Sequence, residues 1–253
     1  MALKFWIQAK TATLDAIRNF AYRHNYEVTQ LSEHDVAPHY REFYDRVRPF
    51  TMTSLSRIYS VIASVEHVLR NRIPGSFVEC GVWKGGSTMA ALLAFKHNGD
   101  TSREAYLFDT FEGMVAPGQF DGAAERNLHS RFARQDGGSD WCRAVIDEVR
   151  SNVATCGYPM AHVHLVQGKV EDTVPEKCPP QISVLRLDTD WYESTKHELN
   201  HLYPRVVPGG IVIIDDYGAW AGARRAVDEY LAEHHIQAFL HRIDTTGRMF
   251  FKP

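Results

Sequence analysis

The chain lacks most of the features that would mark a membrane, secreted or nucleic-acid-binding protein. No apolar run approaches the ~20 residues of a membrane helix. Met1 to Gln8 has no apolar core of signal-peptide length, so neither secretion nor membrane insertion is expected. Cysteine is scarce: Cys80, Cys142, Cys156 and Cys178 show no C-x-x-C spacing, and a chain of 253 residues needs no disulfide staples. A reducing cytoplasm is the expected compartment. Charge of one sign is missing too, with 28 Lys+Arg against 31 Asp+Glu, which argues against a nucleic-acid clamp. Neither H-E-x-x-H, G-x-S-x-G nor G-x-G-x-x-G occurs, so a zinc peptidase helix, a serine nucleophile elbow and a standard dinucleotide turn are all absent.

What remains is an ordinary globular composition, 44% hydrophobic, with a clear order. Residues 1–50 carry scattered apolar positions that suggest a helical extension suited to lid or homo-oligomer contacts. From Ser54, apolar residues recur every three or four positions through Leu69, the stripe of an amphipathic helix that stops near Pro74-Gly75. Short apolar runs then alternate with helix-length segments: Phe77-Val78, Ala105–Phe108, Val163–Val166, Ile182–Leu187 and Ile211–Ile214. That alternation predicts βαβ units and a mostly parallel sheet covered on both faces. Ala238–Ile243 and Met249–Phe251, joined through Asp244–Gly247, predict an antiparallel hairpin at the sheet edge. A Pro- and Gly-bearing insertion over about 115–139 has the length of a lid.

Open α/β sheets bind ligands beyond the carboxyl ends of their strands, so the residues after each run matter most. After the first run comes Glu79-Cys80-Gly81-Val82-Trp83-Lys84-Gly85-Gly86-Ser87. Its G-x-x-x-G-G spacing suits a nucleoside ligand without a pyrophosphate, of which S-adenosylmethionine is one. A tight turn alone would also use these glycines. Asp109 lies about 20 positions further on, where an acid takes ribose hydroxyls, although Asp109 and Glu112 also have capping-box spacing. Asp188, Asp190, Asp215 and Asp216 follow two consecutive runs. If those strands are neighbours, the carboxylates repel unless a cation joins them, and an all-oxygen set suits Mg²⁺, with Ca²⁺ or Mn²⁺ as variants. Helix capping by Asp190 and Glu193, or a solvated Asp215-Asp216 turn, are the plainer readings. His162 and His164, two apart on one strand, are expected to share a face without ligating a metal.

Four segments together resemble the macrocin O-methyltransferase family: Phe77–Ser87, Phe108–Met114, Leu185–Thr195 and Gly209–Gly218, followed by Trp220 and Ala226–Tyr230. The resemblance runs from about Arg48 to the C-terminus. It implies a Rossmann-like class I methyltransferase fold over 51–253, a seven-stranded sheet, and Mg²⁺-dependent methylation of a hydroxyl on a sugar or glycosylated natural product. It further implies Glu79, Gly81, Val82, Gly85, Ser87, Asp109, Gly168 and Asp188 at the S-adenosylmethionine cofactor. Asp188, Asp215 and Asp216 would hold the metal and Asp190 would be the general base. Residues 1–45 and the lid match nothing, so a macrolide sugar, another glycoside and a catechol-like diol all remain open as acceptors. Two other classes compete: a nicotinamide-dependent oxidoreductase on a similar sheet, disfavoured by the missing glycine, and a non-catalytic binding module, disfavoured by the strand-end carboxylates.

Overall fold

The computed structural model describes residues 13–21, 23, 36–136 and 138–253. The chain divides into two compact units, Met1–Pro38 and His39–Pro253. In the first, residues 13–21 are helical. Half of the N-terminal extension expected to make oligomer contacts, residues 1–12, 22 and 24–35, lies outside those described. The second unit starts earlier than the expected boundary at 51. Helix α1 (Pro38–Val47) buries Phe43 and Val47, spaced i,i+4 on one face, in the main core, which makes residues 39–50 part of the larger unit.

That unit is a seven-stranded sheet in the order β3-β2-β1-β4-β5-β7-β6. Its strands are β1 (Ser76–Cys80), β2 (Ala105–Asp109), β3 (Val163–Gln167), β4 (Ile182–Leu187), β5 (Val206–Ile214), β6 (His241–Arg242) and β7 (Arg248–Phe251). The first five pair in parallel; β7 joins β5 antiparallel, and β6 completes the hairpin. Successive residues point to opposite faces, and this divides the core in two. Phe77, Leu107, Val184, Ile211 and Ile213 pack with α2 (Leu55–Arg70) and α3 (Gly86–His97). Val78, Cys80, Phe108, Leu185, Val212 and Ile214 pack with α7 (Tyr192–Leu202) and α8 (Ala221–Glu233). Burial on both faces explains why these strands read as continuous apolar runs.

Several expectations shift in detail. Helix α2 ends at Arg70, short of Pro74, and is capped at its start by Ser54 Oγ, which accepts from Arg57 N–H. Strand β6 is two residues long, since Phe239 is 84% exposed and its stretch lacks a sheet partner. The insertion contains α4 (Ala123–Ser130) and is followed by α5 (Ile146–Ala154); α6 (Val170–Thr173) is a single turn. No described helix is long and apolar enough to cross a membrane, and all four cysteines are free thiols.

The chain reverses direction across the sheet between β1 and β4. A crevice opens there, at the carboxyl ends of both strands.

Candidate active site

The crevice holds a cavity of about 320 Å³, lined by Gly81, Val82, Ser87, Asp109 and Gly168 on one side and Asp188, Asp190, Asp215 and Asp216 on the other. Two of the expected cofactor residues, Glu79 and Gly85, do not line it. Gly85 sits behind the turn with φ +93°, as the N-cap of α3. Glu79 lies below the floor, 1% exposed.

The β1–α3 turn is shaped by close approach. Gly81 has φ +83°, and a Cβ there would lie 1.9 Å from the Asp188 carbonyl oxygen, so the turn after β1 touches the backbone that follows β4. Asp109 holds the same turn from the far side. Its Oδ2 accepts from Val82 N–H (2.7 Å) and Trp83 N–H (3.0 Å), and its Oδ1 from Phe111 N–H (2.8 Å). No helix follows at Glu112, so the capping-box alternative does not apply.

Beneath the carboxylates lies a residue that sequence reasoning missed. Arg186 is fully buried on β4, and its Nη1 lies 2.6 Å from both Glu79 Oε1 and Asp188 Oδ2. Its Nη2 is 2.7 Å from Asp215 Oδ1, an ion pair outside hydrogen-bond angles. One guanidinium thus joins the ends of three strands. The signal was a lone Arg within the apolar run Ile182–Leu187: a charge on a strand buried on both faces has to have partners. A second missed residue, Arg57 on α2, donates to Asp215 Oδ2, to Asp244 Oδ2 (2.9 Å) and to Thr246 Oγ1.

Asp188, Asp215 and Asp216 each offer a carboxylate oxygen within 4.8 Å of the others. Asp215 is 2% exposed, which rules out the solvated-turn alternative. Asp190 lies beside this trio, so four carboxyls crowd one end of the crevice. Burial, aided by the neighbouring carboxylates, pushes Asp188 and Asp216 well above the ordinary range even though Arg186 pulls Asp188 down. Burial likewise raises Asp190 to about 7, opposed by hydrogen bonds from Asp216 and the Trp220 indole. A hard divalent cation fits this group: the donors are all oxygen, and Asp216 Oδ2 is buried without a hydrogen-bond partner.

Asp190 does not cap α7. That helix has Trp191 at its N-cap with no side-chain cap bond. Instead Asp190 sits at φ +71° in a γ-turn closed by Trp191 N–H to Thr189 O (2.9 Å), a strained conformation that aims its carboxyl into the cavity. Three indoles cluster beside it. Trp141 just past the 115–139 insertion, Trp191 and Trp220 have ring centroids 5.5–6.2 Å apart, and Trp191 Nε1 donates to Val115 O at 2.9 Å. The 115–139 insertion is tied down by Asp121, 4% exposed, whose carboxylate accepts from Gly118 N–H (2.8 Å) and from Tyr192 N–H (3.0 Å) at the start of α7. His162 and His164 lie at the surface, each paired with Glu104.

Comparison with known proteins agrees with this geometry. The model of the macrocin-O-methyltransferase (TylF) family matches residues 10–252. A tetracenomycin-C rhamnoside 4'-O-methyltransferase from Streptomyces olivaceus is 37% identical over 197 residues, 78% of this chain and 73% of that protein. The mycinamicin III 3''-O-methyltransferase of Micromonospora griseorubida is 33% identical over 199 residues, 78% of this chain and 76% of that protein. The solved structure of the O-methyltransferase NovP, 33% identical, superposes with a TM-score of 0.72 over 80% of this chain and 82% of that one. The chain is therefore a member of the macrocin O-methyltransferase family, an O-methyltransferase on the class I Rossmann-like fold.

Proposed function

We infer that the enzyme transfers the methyl group of S-adenosylmethionine to a hydroxyl on the sugar of a glycosylated natural product. The reading includes Mg²⁺ at Asp188, Asp215 and Asp216 and Asp190 as the base. One observation carries it: a single cavity holds both the glycine turn at 81–87 and the four strand-end carboxylates. The relatives compared above, named for methyl transfer to sugar-bearing acceptors, support the substrate class.

When bound, the cation supplies Lewis acidity and orientation for the acceptor hydroxyl. The protein's own residues do the rest. Asp190 takes the hydroxyl proton as the oxygen attacks; the S–CH₃ bond breaks as the O–CH₃ bond forms, leaving S-adenosylhomocysteine. A carboxyl near 7 suits that task, because it is basic enough to take a proton and still ionised in part at neutral pH. The tight turn closed by Trp191 N–H to Thr189 O fixes its direction. Met114, Val115 and Trp141, at the two ends of the lid, line the acceptor side and keep water out.

The test uses methyl-labelled S-adenosylmethionine with a rhamnosylated tetracenomycin, read by mass spectrometry. Labelled product is expected. In Asp190→Asn, calorimetric binding of S-adenosylhomocysteine should persist while the single-turnover rate falls about 100- to 10,000-fold. An unchanged rate moves the base elsewhere, and binding of NAD⁺ in place of S-adenosylhomocysteine overturns the reading.

A further inference from the structure

Asp215 is gripped from two sides, with Oδ1 facing Arg186 Nη2 at 2.7 Å and Oδ2 accepting from Arg57 Nη1. The two arginines differ in freedom. Arg186 is fully buried and held at the same time by Glu79 and Asp188, each at 2.6 Å. Arg57 stands at the cavity wall, 16% exposed, and its other anchors, Asp244 and Thr246, belong to the turn between β6 and β7. Only one of its three nitrogens, Nη1, is committed to Asp215.

A divalent ion on Asp215 brings two positive charges close to that guanidinium, in a site where little water screens them. The carboxylate cannot serve both at full strength. We propose that Arg57 sets the cation affinity of the carboxylate trio: without the ion its guanidinium neutralises Asp215, and ion binding displaces Nη1 from that carboxylate. The proposal rests on the reading of Asp188, Asp215 and Asp216 as cation ligands.

The test needs no acceptor. Mn²⁺ is titrated into the wild type, Arg57→Met and Arg57→Lys, with free Mn²⁺ read by electron paramagnetic resonance, and Mg²⁺ is followed by calorimetry. Asp216→Asn, expected to lose the signal, ties it to this site. Arg57→Met should bind Mn²⁺ about tenfold more tightly than the wild type. Arg57→Lys should fall between them, because an ammonium keeps the charge but not the fork that reaches three acceptors. Structural damage would weaken binding, so a gain in affinity separates the two explanations. Equal or weaker binding by a folded Arg57→Met overturns the proposal and leaves the cation site standing. Should circular dichroism show Arg57→Met unfolded, Arg57→Lys decides by the same criterion. Absence of Mn²⁺ binding in all of these proteins removes the cation reading, and the proposal with it.

Discussion

Glu79 and Arg186 are register partners on adjacent parallel strands, and their side chains meet 2.6 Å apart with neither more than 2% exposed. The pair sits directly under the crevice. Removing Glu79 strips a fully buried guanidinium of one of its three carboxylate partners and leaves a cavity where the side chain packed. Glu79→Ala should therefore lower stability by about 3–5 kcal/mol in urea unfolding. Glu79→Gln, which keeps the shape and a hydrogen-bonding oxygen, should cost clearly less. Equal losses would mean that charge compensation is not what the pair provides.

Metal removal tests the carboxylate trio. Activity should disappear in EDTA and return with excess Mg²⁺, and Asp216→Asn should reduce turnover by at least about 100-fold with Mg²⁺ present. Full activity in EDTA contradicts the assignment.

Asp121 fastens the 115–139 insertion, proposed above to close over the acceptor, since its carboxylate takes one N–H from within that segment and one from α7. Charge-assisted bonds of this kind contribute about 1.5–3 kcal/mol each. Asp121→Ala should raise the KM for the acceptor about tenfold or more and make residues 115–136 sensitive to limited proteolysis. An unchanged digestion pattern would show that the lid is held elsewhere.

Asp244 gives the pH dependence a defined sign. Burial alone would raise its pKa, but hydrogen bonds from Ser54 Oγ, Gly247 N–H and Thr246 N–H, with the charge of Arg57, hold it at about 2. Because the folded value lies below the unfolded value of about 4, the contribution is fully present above pH 4 and is lost as pH falls toward 2. The stability difference between wild type and Asp244→Asn should therefore be constant above pH 4 and shrink below it, as measured by urea midpoints. A difference that grows on acidification would reverse the assignment.

The parallel strands were legible because burial on both faces writes them as apolar runs, and the residues after each run were legible because topology sends those ends to the crevice. Strand β5 begins at Val206, earlier than Ile211, because Pro208, Gly209 and Gly210 mask it; Gly209 N–H still bonds to Lys252 O. The capping spacings at Asp109 and Asp190 were false leads, since both side chains answer to tertiary partners: the β1–α3 turn for one, the acidic cluster for the other. Arg57 had no local signal. Its partners lie more than 150 residues away, and only the folded sheet brings α2 to the end of β5 and to the last hairpin.

Position 81 tolerates no side-chain carbon, because the missing methyl would overlap the Asp188 carbonyl oxygen. A single carbon atom added there would push apart the two strands whose tips form opposite rims of the crevice. Alanine at this point would thus act as a wedge, degrading donor uptake and ion uptake in one stroke, and titrations of the two ligands should fail together and not one by one.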